Sequence, residues 1–187
     1  MRCLCPYRSS VDVDFGVPTP AILGDLLARL EDRGTVEILE RGDDTVHLEF
    51  DGINVSVFVL PQLVPFVEDR SLTVTGILAT KLHAILDRGR RRDFFDLYVT
   101  LELSSLGVVE CLAAVRRLFE QDANESLFLR SLTSFDDAER EPAIPGEGPD
   151  DWKTLKSFFL TRVGHLLVPP TRELSIQGRV VDVRDGA

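Results

Sequence analysis

The chain has 187 residues, 44% of them hydrophobic, which is enough for one domain with a real core, with or without an extension. Its formal net charge of −10 argues against a general nucleic-acid binder, which needs a basic face, so any phosphate ligand must be met by a local basic patch or by metal ions. No apolar run approaches the ~20 residues of a membrane span, and MRCLCPYRSS at the start lacks the apolar segment of a secretory signal.

Taken in order, Val11–Phe15 (VDVDF) alternates apolar and acidic residues, which predicts a half-buried strand with Asp12 and Asp14 on one face. Thr19 then Pro20 is a cap and first-turn signal, followed by the stripe Ile22, Leu23, Leu26, Leu27 and Leu30. Thr35–Leu39 and Thr45–Phe50 read as strands. Asp51-Gly52 predicts a type I′ hairpin into a return strand, Ile53–Leu60, with Asn54, Ser56 and Phe58 on one face and Val55, Val57 and Val59 on the other. Pro61–Ser71 is expected to connect to a helical remainder.

Gly76–Leu101 holds the densest charge. Leu78, Leu82, Ile85 and Leu86, then Phe94, Leu97 and Leu101, predict two helices meeting near Gly89, with Thr75 as the first cap. Lys81 and Arg88 share a face of the first helix, and Asp93 and Asp96 a face of the second. Spacing alone leaves two readings open. The helical pairs Asp87–Arg91 and Arg92–Asp96 can form a solvated lattice, at ~0.3–0.5 kcal/mol a pair. Alternatively, the cations and carboxylates face each other or a common ligand.

Further on, Ser105 is expected to cap a helix through about Glu120, with Val108, Leu112, Val115 and Phe119 inward. A shorter helix covers about Glu125–Ser134, Glu141–Pro149 is a loop, and Asp150–Leu167 is a final helix with Trp152, Leu155, Phe158, Phe159 and Val163 inward. A strand near Arg179–Val183 is the most that the tail predicts. The class is α+β, divided as a sheet region 1–70, a helical part 71–167 and a tail 168–187.

Three cysteines, Cys3, Cys5 and Cys111, are an odd number without framework spacing, which predicts reduced thiols and a cytoplasmic protein. Two carboxylates at i and i+2 of a strand, ~6–7 Å apart, form a natural Mg2+ site, or else two solvated acids on an edge strand. His47 and His165 have no partner at metal-ligand spacing.

Arg8-Ser9-Ser10-Val11-Asp12-Val13-Asp14-Phe15 resembles the R-x-S-x-D-x-D-F strand of the AbiEii toxin-like nucleotidyltransferases. Lys81, Ala84, Arg88, Arg92, Asp93, Asp96 and Leu97 are similar to the family's second hallmark, K-x-x-A, R, R-D-x-x-D-L. Phe135-Asp136-Asp137-Ala138-Glu139, Pro142 and Trp152 to Phe159 resemble its ending, F-D-D-A-E…P…W-x-x-(hydrophobic)-K-x-F-F. The resemblance implies a small mixed sheet carrying the metal acids under a helical C-terminal part. It also implies that Asp12 and Asp14 hold Mg2+, that Lys81 neutralises triphosphate charge, and that Asp93 acts in the cleft by orienting Lys81 or moving a proton. Arg8 and Ser10 would support the metal strand or touch phosphate, and Arg88, Arg92 and Asp96 would complete the substrate side.

The activity implied is transfer of a nucleotide from an NTP to RNA, tRNA among the candidates, or to a protein, with an antitoxin as partner. The family's metal strand follows a strand, a Gly-Gly-(Ser/Thr) turn and a helix. Only seven residues precede Arg8 and none is glycine, so that first strand and helix are expected to be lacking. Two alternatives stay open beside the toxin: an inactive or truncated relative that only binds its partner, and a small-molecule transferase of the antibiotic-modifying type.

Overall fold

The computed structural model describes residues 12–119 and 124–167. β1 (Asp12–Val17) leads into α1 (Pro20–Glu31), then β2 (Val36–Arg41), β3 (Thr45–Phe50) and β4 (Ile53–Val59). A 3-10 turn at Pro61–Phe66 and a small hairpin of β5 (Val67–Glu68) and β6 (Ser71–Leu72) follow. Then come α2 (Val74–Arg88), α3 (Arg91–Ser104), α4 (Val108–Phe119), α5 (Glu125–Ser131), α6 (Asp136–Arg140) and α7 (Asp151–Leu167). The class is α+β. The expected strand at Arg179–Val183, the start of the first strand at Val11, and Cys3 and Cys5 lie outside the described residues.

The sheet has the order β1-β4-β3-β2 and is mixed, since β1 runs parallel to β4 and the other pairs are antiparallel. Asp51 and Gly52 both have positive φ, 48° and 81°, as the predicted type I′ turn requires, and that turn sets Phe50 opposite Ile53. Period-2 alternation then sends Val46, Leu48, Val55 and Val57 to one face, where Leu23 and Leu27 of α1 bury them. α1 starts as read: Thr19 Oγ1 accepts from the Ile22 amide at 3.3 Å with Pro20 in the first turn. Ile22 of the expected stripe is 44% exposed, because α1 turns only its Leu23–Leu27 side to the sheet.

A second core fills the helical part. Leu78, Leu82 and Ile85 of α2 pack against Phe94, Leu97 and Leu101 of α3 and against Cys111 and Val115 of α4, whereas Leu86 points outward. Phe94 meets the rings of Phe135, Trp152 and Phe159 at centroid distances of 5.2, 6.0 and 5.9 Å, tying α3 to α6 and α7.

Two local expectations, both of caps, are corrected. The α2 cap is Thr73, whose Oγ1 accepts from the Gly76 amide at 3.2 Å; Thr75 lies inside the helix. The extended backbone that a cap needs is set at Thr73 by its own amide donating to Phe66 O. Ser105 ends α3 in the left-handed region at φ 55° and does not start α4, whose first turn is closed by Glu110 Oε2 accepting from the Gly107 amide. The connector at 61–71 folds into the 3-10 turn and the β5–β6 hairpin.

Candidate active site

Two surfaces supply the polar groups: the sheet face opposite α1, and the elbow where α2 meets α3. On the sheet, register aligns the alternating polar residues into rows. Asp12 of β1 pairs with Asn54 of β4, which pairs with Glu49 of β3; Asp14 pairs with Ser56, which pairs with His47. Each row step is ~4.8 Å, so a carboxylate at position 49 lies two strands from Asp12. Asp14 is exposed, and Ser56 and His47 are half-buried. His47 Nδ1 lies 2.9 Å from Ser56 Oγ, and its ring meets Phe58 edge-on at 5.9 Å.

At the elbow, α2 ends on Gly89 at φ 54°, a conformation that favours glycine, and α3 begins two residues later. This folds α3 back so that its first-turn carboxylates meet the cations of α2. Asp93 accepts from Arg88 Nε at 2.8 Å and from Nη2 at 2.9 Å. Lys81 Nζ sits 2.6 Å from Asp96 Oδ2 and 3.8 Å from Asp93 Oδ1. Both carboxylates have no accessible surface, whereas the Lys81 and Arg88 side chains are 24% and 40% exposed. Of the two open readings, the facing arrangement is the one formed. As folded, these buried carboxylates hold the two cations, and the cations reach the surface.

The Arg88 guanidinium is held above its ordinary value first by its hydrogen bonds to Asp93, then by the fields of Asp93, Asp87 and Asp14. Asp14 of β1 is thus one of the charges that act on Arg88, and the smallest of those named.

The arginine run at 90–92 divides. Arg91 donates from its amide to Glu141 at 2.8 Å, and from its guanidinium to Glu147 at 3.0 and 2.5 Å; that guanidinium stacks over Trp152 at 4.3 Å. Arg90 stays half open near Glu141 at 3.9 Å, and Arg92 forms no ion pair with a described residue. Sequence reasoning missed the partners of Arg91, because Glu141 and Glu147 are 50 and 56 residues away. It also missed the His47–Ser56 pair, although the Asp51-Gly52 turn already fixes that register. Arg8 and Ser10 lie outside the described residues.

Asp12 and Asp14 of β1 are hard oxygen donors. Such a set suits Mg2+, which takes one or two carboxylates and completes its shell with water and phosphate. Among the described residues, no three His, Cys, Asp or Glu side chains group closely enough to hold a metal by themselves. No single described helix is long and apolar enough to cross a membrane.

The model of a family described as the nucleotidyl transferase AbiEii toxin of a type IV toxin–antitoxin system matches residues 35–167, from β2 to the end of α7. An uncharacterised protein of Aquifex aeolicus (strain VF5) is 25% identical over 172 residues, covering 86% of this chain and 81% of its own length.

Proposed function

The chain belongs to the AbiEii nucleotidyl transferase toxin family, and from that premise we propose that it transfers a nucleotide from an NTP to an RNA or protein acceptor with Mg2+. The observation that carries this reading is the elbow, where buried Asp96 and Asp93 hold Lys81 and Arg88 with their charged ends at the surface, as binding of a triphosphate requires. In the proposal Asp12 and Asp14 hold the metal, which when bound supplies Lewis-acid polarisation of the α-phosphate. Lys81 and Arg88 bind the phosphate chain from α2, two helical turns apart. Asp96 and Asp93 fix those two cations, so the charges are pre-positioned before substrate arrives.

The acceptor is proposed to approach over Arg88, Arg90 and Arg92. These three leave a small basic patch on an acidic chain, enough for the short end of an RNA such as tRNA. Arg8 and Ser10 are proposed to support β1 and touch phosphate. An antitoxin-type protein is the proposed partner, in keeping with the family.

One observation favours a second reading. Lys81 and Arg88 are already neutralised by buried carboxylates, which reduces the charge offered to a triphosphate. A chain that only binds its partner would keep these pairs for folding alone. Calorimetry with each NTP and Mg2+, repeated on Asp14→Asn and Lys81→Ala, separates the two. Saturable Mg2+-dependent binding lost in both variants, followed by transfer of labelled nucleotide to RNA, supports the enzyme. Absence of binding with every NTP rejects it in favour of the binding-only relative.

A further inference from the structure

The sheet face carries a pair that the metal and phosphate roles leave unused. Ser56 stands in one register row between Asp14 on β1 and His47 on β3. Its Oγ is 2.9 Å from His47 Nδ1, and the imidazole is steadied edge-on against Phe58 at 5.9 Å. Among the described residues, Ser56 is the hydroxyl that is hydrogen-bonded to a histidine. Thr80 of α2, by contrast, donates back to Gly76 O and Ile77 O of its own helix, both at 3.0 Å.

A serine hydroxyl is a weak nucleophile until a neighbouring base takes its proton, and hydrogen-bond reach between the two is the signature of that arrangement. The second requirement is proximity. A phosphorus centre held at Asp14 would lie one strand spacing, ~4.8 Å at the backbone, from Ser56. Base, hydroxyl and metal acid thus occupy three consecutive strands in one line.

We propose that Ser56 is itself a nucleotidyl acceptor, with His47 as its base, so that the protein modifies its own cleft. This rests on the NTP-dependent reading above. Ser56 Oγ attacks the α-phosphorus of a nucleoside triphosphate, and an Oγ–P bond forms. The bond from the α-phosphorus to the oxygen bridging toward the β-phosphate breaks, and pyrophosphate leaves. The hydroxyl proton passes to His47 Nδ1. The product is a phosphodiester-linked nucleoside monophosphate on Ser56, lying across the polar sheet face beside Asp14. It blocks the phosphate-binding side of the cleft, so the modification limits the protein's own activity.

The test incubates the full chain with each NTP and Mg2+, follows intact mass and maps the adduct by peptide sequencing, with calorimetry in parallel. The expected result is a gain of one nucleoside monophosphate on Ser56, absent in Ser56→Ala and slowed ~100-fold in His47→Gln, as loss of a general base predicts. A fluorophosphonate probe, without nucleotide or metal, reads the same hydroxyl independently: it should label Ser56 in the wild type and fail on a folded His47→Gln variant. NTP binding without an adduct on Ser56, or an adduct elsewhere, overturns this inference and leaves the transferase reading standing. A Ser56 that does not react with the probe also overturns it. Absence of NTP binding removes the transferase reading and this inference with it.

Discussion

Asp93 grips Arg88 with both carboxylate oxygens, at 2.8 and 2.9 Å, across the elbow turned by Gly89. The carboxylate is fully buried while the arginine is 40% exposed, so the two partners are not equivalent to delete. Breaking a buried pair by removing one partner costs ~3–5 kcal/mol where both are dry.

Arg88→Ala should therefore lose ~2 kcal/mol, less than the dry figure because water reaches the guanidinium and Lys81 remains 3.8 Å from Asp93. Arg88→Ala with Asp93→Ala should cost less than the sum of the single changes, since no lone carboxylate is left buried. Urea denaturation of the four proteins gives the coupling directly. Strict additivity would mean that the pair contributes nothing specific.

Arg91 ties the start of α3 to the 141–149 loop and to α7, through Glu141, Glu147 and the Trp152 ring. The Glu147 carboxyl is held below its ordinary value of 4.5, first by its hydrogen bond from Arg91. A depressed value means stability that is present above about pH 4.5 and is lost as pH falls toward the folded value. Glu147→Gln should flatten that acid limb and lower stability at pH 7. Trp152 is the sole tryptophan, so its emission in an acid titration reports the loosening, and a curve identical to the wild type would refute the clamp.

Cys111 is buried, and burial pushes its thiol from 9 up to about 12. The unfolded thiol ionises first, so its contribution is intact below pH 9 and is lost as pH rises toward 12. The slope should approach ~1.4 kcal/mol per pH unit. Tyr98, also raised by burial first, joins only above pH 10. Denaturation midpoints at pH 8–10 should fall less steeply in Cys111→Ala, and native Cys111 should resist alkylation at pH 8.

Two backbone substitutions should act in opposite directions. A Cβ at Gly76 would stand 2.9 Å from Phe66 Cβ and 3.3 Å from Phe66 O, where little can yield. Gly76→Ala should therefore cost ~1–3 kcal/mol despite its better helix propensity. Ser105 holds φ 55° without being glycine, so Ser105→Gly should gain ~0.5 kcal/mol. Thermal denaturation checks both signs.

The elements were legible in the sequence because their signals are local. Thr19-Pro20, Asp51-Gly52 and Gly89 each fix a backbone conformation within a few residues, and the alternation of Val55 and Val57 with Asn54 and Ser56 assigns the faces of β4. The two-residue turn even determines that position 47 faces position 56. What it leaves open is whether those side chains touch, which depends on rotamers chosen by the neighbours of each.

Caps were less legible. Thr73 and Thr75 are chemically equal, and a hydrogen bond to Phe66 O decided between them. The charge cluster was half legible: spacing put Lys81 and Arg88 on one face and Asp93 and Asp96 on another. Only the packing of α2 on α3, with α7 closing over Phe94, made those carboxylates buried partners and not a solvated lattice.

The sequence by itself determined the α+β order, the faces of each element and the family signature, because these follow from periods of 2 and 3.6 and from short motifs. The tertiary structure decided which carboxylates are buried and which cations reach the surface, and that the field of Asp14 acts on Arg88. Burial and long-range electrostatics depend on chain segments dozens of residues apart, and no local pattern encodes that separation.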